Sequence, residues 1–143
     1  MRLALREAEA AARADEVPVG AVIWKDGDVV GRGRNRILET GDPTAHAEML
    51  AIRSATQHLG ERWLSGCTLF VTLEPCAMCA GALVLARIHR LVFGASDPKT
   101  GACGSLRNVV EDGRLNHQMV VQQGVLAEES SQLLKQFFRV KRP

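Results

Sequence analysis

Three residues in two short stretches have the types and spacing to hold a metal ion. One stretch is His46-Ala47-Glu48 and the other is Pro75-Cys76-Ala77-Met78-Cys79. His46, Cys76 and Cys79 together offer one imidazole and two thiolates. Zinc that only braces a fold normally has four protein ligands, whereas catalytic zinc has three and leaves a position for water. Glu48 stands beside this ligand set as a carboxylate that the metal does not need. Three ligands and a spare carboxylate point to chemistry on a bound water. Zinc would lower the pKa of that water from about 15.7 to about 7, and Glu48 would carry its protons.

Local sequence predicts the elements that position these groups. Met49, Leu50, Ile52, Ala55 and Leu59 follow His46 at roughly helical spacing, which places His46 and Glu48 near the start of a helix. Cys67–Leu73 reads as a buried strand. Pro75 suits the first turn of a second helix, where its missing N–H costs nothing. Cys76 and Cys79 are then three apart and share one helix face. Both ligand sets thus fall at helix N-termini, where the positive end of the dipole favours thiolates. His46 and Glu48 point in different directions, as a ligand and a base approaching one water should.

Each fragment also has an ordinary reading. A lone histidine is more often hydrogen-bonded or at the surface, and a lone C-x-x-C can be redox-active. Two buried cysteines can simply pack. Cys67 and Cys103 would have to complete an iron–sulfur set, but their spacing is unfamiliar. They read as small residues at a strand start and in a loop. What favours the catalytic reading is the combination: H-x-E, a strand, then P-C-x-x-C, the order found in zinc nucleobase deaminases.

Around that core the chain resembles the bacterial tRNA adenosine deaminases, which convert adenosine to inosine at the wobble position of an arginine tRNA anticodon. The resemblance rests on Val17-Pro-Val-Gly-Ala-Val22, Gly33-Arg-Asn35, Asp42-Pro-Thr-Ala-His-Ala-Glu48, Val71–Gly81, Asp97-Pro-Lys-Thr-Gly101 and Gly104-Ser-Leu106. The D-P-T-A-H-A-E run, the K-T-G loop and the Phe137-Phe138-Arg139 ending narrow it to the tRNA-editing branch. Ile37 departs from the proline that many members carry after N-R, which bears on a loop shape and not on the chemistry. The resemblance implies a three-layer α/β/α sandwich with a five-stranded mixed sheet, of the cytidine deaminase type. It also implies one zinc per subunit, Glu48 as proton shuttle, a tRNA anticodon stem-loop as partner, and a homodimer.

It implies further contacts as well. The amide of Asn35 would hydrogen-bond the base, although Asn at a strand end is also an ordinary turn residue. The Ala47 backbone and a wall containing Val19 would complete the pocket. The loop with Asp97 and Lys99 would grip the nucleotide before the target, and Asp97 could accept a hydrogen bond from a ribose 2′-OH. These two residues read equally well as solvated turn residues. Leu133, Leu134, Phe137 and Phe138 form an apolar stripe that is mostly core, with one phenylalanine available to stack on a splayed base. Arg139, Lys141 and Arg142 would meet phosphates or complement a helix C-terminus.

Bulk properties agree with one domain spanning residues 1–143. The apolar content of 46% supports a core, which the 4% of aromatic residues leaves to aliphatic side chains. A net charge of +2 and a pI near 8.5 are compatible with nucleic acid without requiring it. The N-terminal stretch, with Glu7 and Glu9 among alanines, has no signal-peptide core. The apolar run Cys76–Ala86 is too short to span a bilayer. Four cysteines, two assigned to metal, make no disulfide framework, and a reducing cytoplasm fits.

Elsewhere the pattern predicts a first helix over Leu3–Ala14, strands at Val17–Trp24 and Val29–Asn35 with a hairpin turn at Lys25–Asp28, a strand at Arg90–Ala95, a loop over Ser96–Asn108, a strand at Met119–Gln122 and a last helix over Glu128–Val140. A hairpin followed by alternating helices and strands predicts a mixed sheet covered on both faces. Two rival functions share these features: a deaminase of free bases or nucleosides such as guanine or cytosine, and an inactive RNA-binding partner subunit. Glu48 argues against the second.

Overall fold

The computed structural model describes residues 1–141, so Arg142 lies outside the described residues. Helix α1 (Arg2–Arg13) is followed by strands β1 (Gly20–Lys25) and β2 (Asp28–Arg34), a short helix α2 (Ile37–Thr40) and helix α3 (Ala47–Leu59). Then come β3 (Thr68–Leu73), α4 (Ala77–Leu85), β4 (Arg90–Ala95), β5 (Val120–Gln122) and α5 (Ala127–Lys141). The sheet order is β2-β1-β3-β4-β5. β1 runs antiparallel to both β2 and β3, while β3, β4 and β5 are parallel. The five-stranded mixed sheet is as expected.

Alternation along the strands builds the layers. Ala21 and Ile23 of β1, Leu69 and Val71 of β3, and Leu91 and Phe93 of β4 join one core with Ala47, Ala51 and Ala55 of α3 and Ala80, Leu83 and Val84 of α4. Their neighbours face the other way, toward α1 and α5. Gly20 lies under Ala4 and Ala8 of α1, and Gly94 under Ser130 of α5. The core is aliphatic apart from Phe93, as the composition requires. Between β1 and β2, Asp26 and Gly27 both have positive φ, 50° and 87°, the two-residue hairpin turn that matches strand twist.

Helix α3 sits unusually close to β2. A Cβ on Gly33 would fall 2.2 Å from the Ala47 carbonyl oxygen, and one on Gly31 would fall 2.6 Å from that of Ala51. Hydrogen at these two positions lets the first turn of α3 rest directly on the strand. That contact fixes where His46 and Glu48 stand.

Four details differ from the sequence expectations. Val17–Val19 is not part of β1, because the Val19 N–H turns back to the Val17 carbonyl (2.8 Å). Helix α2 was not anticipated from the sequence. The buried carboxylate of Glu16 creates it by accepting the N–H groups of Leu38 and Glu39 at 3.0 and 2.8 Å. Pro75 is not in the first turn of α4, because Cys76 is the N-cap and the proline lies one residue outside the helix. Its carbonyl instead accepts the Ala102 N–H at 2.9 Å. The irregular connection after β4 also runs past Asn108 to β5, pinned by a bridge between Cys103 and Asn108.

Candidate active site

Strand directions gather the site. Because β1 is antiparallel to β3, the start of β1 and the ends of β2, β3 and β4 reach the same edge of the sheet. Open α/β sheets place their ligands at such an edge, outside the carboxyl ends of the parallel strands. Here the first turns of α3 and α4 meet that edge.

His46 and Cys76 are the N-caps of α3 and α4, each with extended backbone (φ −76°, ψ 153° and φ −75°, ψ 176°). Neither side chain caps its own helix. They face each other instead, with Cys79 from the first turn of α4 beside them. The Nδ1 atom of His46 is 3.6 Å from the Cys76 Sγ and 3.5 Å from the Cys79 Sγ. A tetrahedral zinc, with bonds of about 2.3 Å to sulfur and about 2.0 Å to nitrogen, would hold such a pair about 3.5 Å apart. All three ligand atoms lie within 4.8 Å of one another. The trio therefore fits a metal ion.

Its protonation fits too. The Cys76 thiol is pulled down to about 4, first by the hydrogen bond from Cys79 and then by His46. Cys79, the donor to that thiolate, is pushed above its usual value. A cation would displace this remaining proton, as metal binding at thiols does.

Glu48, in the first turn of α3, is 4% exposed. Lost hydration pushes its carboxyl up to about 7, and the nearby Cys76 thiolate adds to the rise. Proton transfer is most efficient when the group's pKa lies near the working pH. A second carboxylate, Glu74, lines the same pocket and is shifted the opposite way. Burial opposes its charge, but the Ser105 hydroxyl and three backbone N–H groups outweigh that cost and hold it below the usual carboxylate range. The two carboxylates of one pocket are thus driven in opposite directions, Glu48 up by burial and Glu74 down by its four donors.

The pocket measures about 220 Å³ and is lined by Val17, Val19, Asn35, Ile37, Leu73 and Thr100, besides His46, Ala47, Glu48, Glu74, Cys76 and Asp97. Asn35 is 6% exposed, and its amide nitrogen donates to the Val17 carbonyl at 3.3 Å. Its Oδ1 has no partner. Buried polar atoms are rarely left unpaired, so this free acceptor on a pocket wall awaits a donor.

A shallower groove continues from the pocket. Both share Val17, Leu73, Asp97 and Thr100, and the groove adds Pro98, Lys99, Leu134, Lys135 and Phe138. Asp97 braces its own turn. Its Oδ1 accepts the N–H groups of Lys99 (3.0 Å) and Thr100 (3.2 Å), and its Oδ2 accepts the Thr100 hydroxyl (2.7 Å). These bonds outweigh partial burial and keep its carboxyl low.

Most residues expected at the site thus converge. His46, Ala47, Glu48, Cys76, Asn35, Val19 and Asp97 line the pocket, and Lys99 and Phe138 line the groove. Cys79 is buried behind Cys76. Phe137 is not brought to either cavity. Its ring packs edge-on against Phe138 (5.4 Å between centroids), with the Lys141 ammonium 5.7 Å above it. Lys141 pairs with Asp15 at the end of α1. Sequence reasoning missed Glu74, Thr100 and Lys135. For Glu74 the available signal was a carboxylate placed between a buried strand and a ligand turn, where an unpaired charge would be costly.

A family model, the MafB19-like deaminase, matches residues 1–142. The tRNA-specific adenosine deaminase of Aquifex aeolicus is 48% identical over 139 residues, 97% of this chain and 91% of that protein. That of Haemophilus influenzae is 50% identical over 143 residues, 99% and 83% of the two chains. Among solved structures, one from studies of A-to-I editing by deaminases acting at the wobble position of transfer RNA superposes with a TM-score of 0.90. It shares 48% identity and covers 94% of this chain and 97% of its own. A guanine deaminase from Bacillus subtilis superposes less well, at a TM-score of 0.65 and 32% identity, covering 97% and 90%. Identity near one half along almost the whole length, on the same α/β sandwich, makes this chain a member of the tRNA-specific adenosine deaminase family.

Proposed function

We propose that the protein converts adenosine to inosine at the wobble position of a tRNA anticodon, an arginine tRNA by resemblance, using zinc and water. The observation that carries this reading is the geometry: the ligand atoms of His46, Cys76 and Cys79 lie within 4.8 Å of one another, and the buried Glu48 carboxyl lines the same pocket.

Zinc, when bound by His46, Cys76 and Cys79, supplies a water whose pKa falls from about 15.7 to about 7. Glu48 accepts a proton from the attacking water and delivers it to a ring nitrogen, which makes C6 more electrophilic. A C6–O bond forms. Glu48 then takes the proton of the new C6 hydroxyl and passes it to the exocyclic nitrogen, the C6–N bond breaks, ammonia leaves and the oxygen stays as the C6 carbonyl. The free Oδ1 of Asn35 accepts a hydrogen bond from the base, and the Ala47 backbone and Val19 hold it in place. Val17, Ile37 and Leu73 make the rest of the wall apolar, which excludes water from the reacting carbon.

The groove beside the pocket supports RNA over a free nucleoside as substrate. Lys99 and Lys135 line it and would meet phosphates, and Phe138 would offer an aromatic surface for a base already splayed out of the loop. We read residues 1–143 as one catalytic domain that works in the cytoplasm as a homodimer. No described helix is long and apolar enough to cross a membrane.

The test is to incubate the purified protein with host tRNA, or with an anticodon stem-loop, and to sequence for inosine. Inosine at the wobble position is expected. Turnover of free adenosine or guanine with no inosine in the RNA would favour a free-base deaminase instead, and zinc binding with no turnover would favour an RNA-binding partner subunit.

A further inference from the structure

Glu74 carries more hydrogen bonds than a wall residue needs. Only 2% of it is exposed. Its Oε1 accepts the Asp97 N–H (2.9 Å) and the Ser105 hydroxyl (2.5 Å), and its Oε2 accepts the N–H groups of Cys103 and Ser105 (3.0 Å each). These donors lie 23 to 31 residues away in sequence and span both ends of the K-T-G loop. The loop also touches the ligand turn directly. Gly101 forms an isolated antiparallel bridge with Cys76, and the Ala102 N–H bonds the Pro75 carbonyl. A Cβ on Gly101 would fall 2.4 Å from the Glu74 carboxyl carbon, so only glycine lets the loop close over this carboxylate.

We infer that Glu74 is a positioning residue, whose carboxylate fastens the Asp97–Ser105 loop to the turn bearing Cys76 and so sets the spacing between the metal-binding wall and the nucleotide-binding wall of the pocket. Glu74 takes no part in bond-making. It acts through Asp97 and Thr100, whose places on the wall depend on the anchored backbone. The inference rests on the reading of the pocket as an RNA deaminase site.

Glu74→Gln is a directional test. With the amide nitrogen at the Oε2 position, an NH₂ would face two N–H donors. At the Oε1 position it faces the Asp97 N–H and a Ser105 hydroxyl that can turn to accept. The second arrangement wins, and it frees the Asp97 end while keeping the Ser105 end.

The expected result is one zinc per chain retained, with amide hydrogen exchange at Asp97 and Lys99 faster by about tenfold and exchange at Cys103 and Ser105 little changed. The KM for an adenosine-containing RNA hairpin rises about tenfold, by more than kcat falls. Asp97→Asn then adds little in the E74Q background, because its turn is already detached. Ser105→Ala, which removes one donor at the surface, shifts KM the same way by less, and it carries the test if E74Q does not fold. Unchanged exchange at Asp97, zinc loss in E74Q, or fully additive effects of E74Q and D97N would each overturn the inference. A wild-type protein inactive on every adenosine hairpin would sink the functional reading instead, and the exchange measurement would still decide whether Glu74 anchors the loop.

Discussion

The imidazole of His46 lies 3.5 Å from the sulfur of Cys79, across 33 residues of chain. Two helix starts, one on β2 and one at the end of β3, are brought together to make that distance. It is the separation that a shared metal ion would impose.

Removal of Cys79 should therefore remove the metal. Metal analysis of Cys79→Ala is expected to show well below one zinc per chain, and its melting temperature should fall below that of the zinc-loaded wild type. Ligands that bind only the folded state stabilise it by mass action, about 4 kcal/mol at a thousand times Kd. Full zinc retention in the variant would remove Cys79 from the ligand set.

Replacement of Glu48 should separate binding from chemistry. Glu48→Gln keeps the shape of the buried side chain but cannot shuttle a proton. Zinc content should stay near one, and single-turnover deamination should drop by about 10²–10⁴, the usual worth of a positioned acid–base group. A rate close to wild type would assign the proton transfers to another residue.

The two phenylalanines of α5 should behave differently. Phe138 is 44% exposed and lines the groove, whereas Phe137 is half-buried and packs edge-on against it. Phe138→Ala is expected to weaken hairpin binding by about 1–3 kcal/mol if a base stacks there, with chemical stability within about 0.5 kcal/mol of wild type. Phe137→Ala should instead lower stability and disturb binding less. Titration of a labelled hairpin, paired with urea unfolding, reads both effects. Equal binding losses would mean that α5 contributes only through its packing.

Close packing between α3 and β2 gives a prediction at a position with no chemistry of its own. Gly33→Ala would drive a methyl group into the Ala47 carbonyl at 2.2 Å. Overpacking of this kind costs about 1–3 kcal/mol. The urea midpoint should fall, and because Ala47 lies between His46 and Glu48, activity should fall further than the loss of folded protein explains. An unaltered midpoint would show that α3 can slide away freely.

The His46–Cys76–Cys79 trio and the neighbouring Glu48 were readable from sequence as candidates because their geometry is local. A His-x-Glu and a Cys-x-x-Cys at helix starts each hold a fixed shape over one turn, and the strand between them carries its own apolar pattern. The α/β class and all five strands followed from periodicity in the same way, with only strand and helix ends moving by a few residues. What remained was set by contacts between distant segments. Glu74 looks like any carboxylate until four donors from a loop more than twenty residues away converge on it. The free oxygen of Asn35 depends on the Val17 carbonyl, 18 residues earlier, which orients the amide. Helix α2 exists because Glu16, more than twenty residues away, supplies its cap. Phe137 and Phe138 share one apolar stripe, and only the way α5 is rotated against β4 decides which ring faces the groove. Side-chain types and short spacings determine which groups can react, whereas burial and hydrogen-bond partners exist only once the chain has closed on itself, and these decide which groups stay charged, which stay unpaired and which merely pack.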